Sequence, residues 1–283
     1  MFNVATKLFA IIAIIANTSL LFSCSNGHKE EATTLYESAK ALYDCQQYDS
    51  TLSVLDTLYK RYPAETDIIK QGIHLMAQAQ EQVSIIGIKQ ADSIIAVNAP
   101  IVETLAKDFV VVKNPDLVEN YRIYKSLKNT PLINRTGVEP RIDDNGNIYL
   151  VSQLIGNAAK HTLLRVTAPD GSSAETSSIA FDNAQNYRFK SDGISYEMVT
   201  FHADQCVQFC QFVSDNINKQ LKLEFVGKST HKITIPASTR EAIAQSYKYS
   251  VAINAGLKAE NKKLYYTKRL EVAKKHVEQT QQL

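Results

Sequence analysis

The hydrophobic period changes twice along this 283-residue chain, and that double change limits the fold more than any other feature. From Ala32 to about Leu127 the apolar residues recur at three, four and seven; from Asn129 to Pro236 they alternate; beyond Pro236 the helical spacing returns. Helices therefore flank a strand-rich middle. With 45% hydrophobic and 21% charged residues, the chain has the material for a real core. The expected class is α+β. It comprises an N-terminal helical hairpin and long helices over residues 32–128, a strand-rich sandwich or open barrel with one helix over 129–236, and a long C-terminal helix over 237–283.

In the first flank, Leu35, Ala39 and Leu42 share one helix face, and Leu52, Leu55 and Leu58 share another, ending at Pro63. Residues Thr66 to Ala96 carry Ile69, Ile73, Met76, Val83 and Ile86, which describes a long amphipathic helix. A further helical stretch is expected from Val102 to Leu127, interrupted at Pro115. In the last flank Ser238 or Thr239 caps a helix running to about Gln279, with Ile243, Ser250, Leu257 and Leu264 as a coiled-coil seam. That helix pairs either with the 66–96 helix or with a second chain, since a lone amphipathic helix leaves its stripe wet.

In the middle, Arg141–Asp143 and Ile148–Val151 flank the turn Asp144-Asn145-Gly146-Asn147, a hairpin with a type I′ signal. Further strands are expected at His161–Thr167, Ser178–Phe181, Tyr196–Phe201, Leu221–Phe225 and His231–Ile235. Asp204 is expected to cap a helix whose Cys206, Phe209, Cys210 and Val213 lie on one face.

The N-terminus follows other rules. Lys7 precedes an apolar run from Leu8 to Ala16, which Asn17, Thr18 and Ser19 break before Leu20, Leu21 and Phe22. The run falls short of the ~20 apolar residues that cross a bilayer, so residues 1–23 read as a cleavable signal peptide. Leu21-Phe22-Ser23-Cys24 resembles the lipobox of bacterial lipoproteins. That resemblance implies cleavage after Ser23 and acylation of Cys24, with palmitate-like chains contributing ~0.8 kcal/mol per buried methylene. Ordinary secretion is the alternative. Residues 24–31 then form a lipidated tether, in which Lys29-Glu30-Glu31 is similar to the export signal of Bacteroidota surface lipoproteins; a solvated charge run is the other reading. The implied address is the outer membrane, lipid-anchored and either periplasmic or surface-exposed.

Tyr48-Asp49-Ser50-Thr51-Leu52, followed by Leu55, Leu58 and Tyr62-Pro63, resembles the second helix of a tetratricopeptide repeat. Such arrays need about three units, and one is found. Its open face must be buried by the next helix or by a partner.

Signals for chemistry are sparse. His202, Cys206 and Cys210 are spaced by four, but no fourth zinc ligand follows, and buried cysteines pack as small apolar groups. A Cys/His nucleophile pair drawn from Cys206, Cys210, His161 and His202 lacks an orienting group. Asp143, Asn145 and Asn147 match the start of a calcium loop, which then fails at Ile148 and Leu154. No catalytic residue, metal or cofactor is expected, and the chain reads as a non-enzyme. With 31 basic against 29 acidic residues it offers no field for nucleic acid. The basic stretch from Lys258 to Lys275 is a solvated face or a contact for anionic surfaces. Tyr187, Tyr196 and Phe201 are either packing residues or the wall of a ligand groove. The function expected is a membrane-anchored protein-interaction or scaffolding module. Glycan or peptide binding through the strand domain is the alternative, and an envelope enzyme the third reading.

Overall fold

The computed structural model describes residues 26–113, 120–133 and 135–281. Leu21, Ser23 and Cys24, with the whole signal peptide, lie outside the described residues, as does Pro115. The described chain forms two units: one from residues up to Lys89 together with those from Leu264 onward, the other from Gln90 to Lys263. Both long helices contribute residues to each unit. The α+β expectation holds, with five α-helices and two antiparallel sheets among the described residues.

In the first unit, α1 (Asn26–Asp44) and α2 (Tyr48–Arg61) form the expected hairpin around a turn in which Gln46 takes a left-handed φ of 60°. Helix α1 opens at Asn26, so most of the expected tether, including Lys29, Glu30 and Glu31, is helical. The Tyr62 hydroxyl donates to the Glu31 carboxylate there. Helix α3 (Thr66–Ala106) covers the hairpin: Ile68 and Leu75 share a core with Ala32, Ala39, Leu55 and Leu58. The repeat-like face is thus filled by the chain's own next helix. Thr51 is fully buried and bonds back to the Gln47 carbonyl at 3.0 Å.

Helix α5 (Ala237–Thr280) returns beside α3. In the first unit His74 Nδ1 meets the Thr280 hydroxyl at 2.9 Å, and Gly87 lies under the Tyr266 ring. In the second unit Lys263 pairs with Asp92 at 2.8 Å. The two helices therefore run antiparallel within one chain. The seam differs from the expected one: Ile243 and Ser250 are buried, but Leu257 and Leu264 are 42% and 55% exposed. Small residues are buried instead: Ala77 and Ser84 of α3 and Ala273 of α5 in the first unit, and Ala91 of α3 and Ala252 and Ala259 of α5 in the second. Small side chains let helix backbones approach closely, so the larger apolar residues are displaced to the flanks.

Three corrections concern element limits in the second unit. Helix α3 continues through Pro100 to Ala106, and in place of a helix to Leu127 come β1 (Phe109–Val112) and β2 (Tyr121–Tyr124). The β-branched run Val110-Val111-Val112 favours a pleated strand over another helical turn. The sheet thus begins at Phe109, twenty residues before the expected boundary at 129.

The first sheet has the order β1-β2-β3-β4-β8-β7, with β3 (Gly137–Ile142), β4 (Ile148–Ile155), β7 (Asn186–Ser191) and β8 (Ile194–Phe201). The second has the order β10-β9-β5-β6, with β5 (Leu163–Thr167), β6 (Ser173–Glu175), β9 (Lys222–Val226) and β10 (Thr230–Thr234). Residues 178–181 form no strand; Ile179 N–H donates to the Thr162 carbonyl and the Ser178 hydroxyl to the Thr162 hydroxyl, and a single backbone bond makes no ladder. Helix α4 (Ala203–Asp215) is capped by His202 rather than Asp204, because Gln205 reaches back to the His202 N–H at 2.7 Å and completes a capping box. Helix α5 starts at Ala237, ahead of both expected caps.

One core joins both sheets and α4, with Phe201, Phe209, Phe225, Cys206 and Cys210 buried in it. Burying each of the three rings stabilises the fold by ~1.5–3 kcal/mol relative to leaving it wet. The β3–β4 hairpin forms as expected, but Gly146 alone in its turn takes a positive φ, 82°, so the turn is not type I′. Ser250 of α5 holds that turn, donating to the Gly146 carbonyl at 2.7 Å and accepting from Ile148 N–H at 3.0 Å.

Candidate functional site

Three buried residues assemble what the sequence did not reveal. Ser152 Oγ lies 2.9 Å from His161 Nε2, and His161 Nδ1 lies 2.8 Å from Glu197 Oε2. The order is that of a hydrolytic triad. Its setting is not: Ser152 and His161 are fully buried and Glu197 is 2% exposed, so no substrate reaches the hydroxyl. Ser152 also bonds the Val199 carbonyl at 3.2 Å, and His161 stands edge-on to Phe225 at 5.3 Å. The group ties β4 and β8 of one sheet to the loop that leads into β5 of the other. Burial opposes ionisation of Glu197, but N–H groups of His161 and Lys160 outweigh it and hold the carboxyl below its ordinary range. We read the trio as a clasp between sheets.

The sequence candidates do not converge. Cys206 and Cys210 sit in the core, where burial and then the neighbouring Cys206 thiol push Cys210 well above the ordinary thiol range. His202 lies at the start of α4 against Tyr149, 6.0 Å between ring centres. His161 belongs to the clasp. Asp143 is spent on its own turn, accepting from Asn147 N–H at 2.7 Å. No group of three metal-ligating side chains occurs among the described residues. Lys29, Glu30 and Glu31 are all exposed on the first turns of α1.

Of the three aromatics singled out, Phe201 is core, whereas Tyr187 and Tyr196 lie on the opposite face of the six-stranded sheet. There Phe189 stacks on Tyr196, with ring centres 4.7 Å apart and planes 3° apart, and on Tyr187 at 6.2 Å. Arg141 covers the Tyr121 ring at 4.3 Å and pairs with Glu139 at 2.7 Å. Strand β7 escaped the sequence reading, although Tyr187 and Phe189 alternate with Arg188 and Lys190 in the two-residue period of an edge strand.

The surface least explained by the chain's own packing lies on the helices of the second unit. Ile94, Val97 and Ile101 of α3 are 41%, 63% and 44% exposed, and they recur at three and four along one face. Beside them an open groove of about 340 Å³ runs between α3 and α5, floored by Ile95, Ala99, Val102, Ile253 and Gly256 and edged by Leu257. Glu103 and Glu260 stand at its rim. Helix α3 is long and apolar enough to cross a membrane by length and composition alone, a test that the packing helix of a soluble protein also passes. Compared with known proteins, the chain matches no family model, no curated protein and no solved structure.

Proposed function

We propose that this chain is an outer-membrane lipoprotein, held by acylated Cys24, that binds a protein partner along its helix pair. The observation that carries the binding half is the apolar row Ile94, Val97 and Ile101, standing beside the groove edged by Leu257. Scattered apolar residues on a surface need no explanation; a contiguous row with a polar rim is the pattern of an interaction site. A helix laid in such a groove is read through anchors at three- and four-residue spacing. The repeat-like hairpin is not the docking face in this reading, because α3 already fills it. The anchor half rests on the Leu21-Phe22-Ser23-Cys24 resemblance, and the Lys29-Glu30-Glu31 run supports display at the cell surface.

A photo-crosslinking residue at position 97 tests the binding half in intact cells. A discrete crosslinked protein is expected, lost in an Ile94→Glu/Ile101→Glu variant whose melting temperature stays within a few degrees of wild type. Crosslinks that persist in that variant, or none at all, overturn the surface. Fatty-acid labelling tests the anchor half: wild type takes label and Cys24→Ala does not.

A further inference from the structure

Toward the turn of the β7–β8 hairpin is a cavity whose charges the fold leaves unbalanced. It measures about 340 Å³, within the usual size of a small-molecule site, and is lined by Lys160, Arg188, Lys190, Ser195 and Glu197, with Phe189 at its edge. The pleat puts Arg188, Lys190, Ser195 and Glu197 on the same side of the hairpin. Glu197 is the acid present, and both its oxygens are engaged. Oε1 accepts Lys160 N–H at 2.6 Å, and Oε2 accepts His161 N–H at 2.9 Å and faces His161 Nδ1 at 2.8 Å.

The cations have no such partners. Among the described residues no carboxylate pairs with the side chains of Lys160, Arg188 or Lys190, whereas on the second sheet Arg165 pairs with Glu175 and Lys232 with Glu224. The Arg188 guanidinium has one long hydrogen bond, Nη2 to the His161 carbonyl at 3.4 Å, and lies 4.9 Å from the Phe181 ring. Its Nε is buried with no hydrogen-bond partner. An unpaired buried N–H raises the energy of the empty cavity, and an oxyanion within reach of it offsets that cost. A guanidinium fork fits the planar or tetrahedral oxygens of carboxylate, sulfate and phosphate.

We propose that this cavity binds a small oxyanion-bearing molecule, with its carboxylate, sulfate or phosphate seated among Lys160, Arg188 and Lys190. The site shares no residue with the helix-pair surface and goes beyond the function proposed there.

Calorimetric titration of the full chain in detergent, with galacturonate and with inorganic phosphate as probes and galactose as control, tests it. Saturable binding of at least one anion is expected, with none for galactose. Arg188→Gln should weaken it about tenfold or more, as should Lys160→Gln/Lys190→Gln, whose exposed side chains spare the fold. Raising the salt to about 1 M, where the Debye length shrinks to about 3 Å, should weaken it further. Saturable binding of either anion supports the proposal, and the tighter of the two tells a carboxylate ligand from a phosphate one. No saturable binding of either anion overturns the proposal, as does affinity unchanged in the double lysine variant.

Discussion

Replacing Glu197 by Gln leaves His161 Nδ1 facing a neutral amide in a site where His161 is wholly buried. Removing one partner of a buried pair costs about 3 kcal/mol, and Glu197→Gln is expected to lose about that much on chemical denaturation. A loss below about 1 kcal/mol would show that the clasp contributes little. The acid limb provides a second reading of the same group. Because its folded pKa lies under the unfolded one, the stabilisation is complete above the unfolded value and is lost as pH falls through the folded value. Wild type should therefore lose more stability than Glu197→Gln between about pH 6 and about pH 3, followed by thermal melts. None of this is visible in the sequence, where Ser152, His161 and Glu197 stand 9 and 36 residues apart with no local pattern. Clasps of this kind are set by sheet register, and register is a property of the folded pair of strands.

Helix α3 offers a test in which two effects predict opposite signs. On intrinsic propensity, Gly87→Ala should stabilise a helix interior by about 1 kcal/mol. A methyl group there, however, collides with the Tyr266 ring of α5. We expect net destabilisation of about 1–3 kcal/mol, relieved when Tyr266→Ala is added, as a double-mutant cycle of melting curves would record. Stabilisation by the single change would mean that the helices pack loosely at this point. The sequence disclosed both helices through their period and hid their seam, because Ala77, Ser84, Ala91, Ala252, Ala259 and Ala273 carry no hydrophobic signal while Leu257 and Leu264 do. The β3–β4 hairpin was legible from its turn residues. Strands β1 and β2 were not: the run of valines in β1 suits a strand or a buried helix, and periodicity alone does not separate them.

At the scale of the whole molecule the first unit is not an uninterrupted stretch of chain, since it needs residues from Leu264 onward to wall the helix that begins at Thr66. Truncation after Lys263 removes Tyr266 and Thr280 from Gly87 and His74. Amide exchange over residues 66–89 should then quicken about tenfold or more, while β4, β8 and β9 keep their protection. Equal loss everywhere would show one cooperative block. The three described thiols are sorted by depth, Cys45 exposed in the turn after α1 and Cys206 and Cys210 sealed between the sheets. An aromatic disulfide reagent added to the native protein is thereby met first by Cys45 and then, on the schedule of rare excursions of the core, by the other two. The chain carries its own stopwatch for breathing, readable at a visible wavelength without any introduced probe.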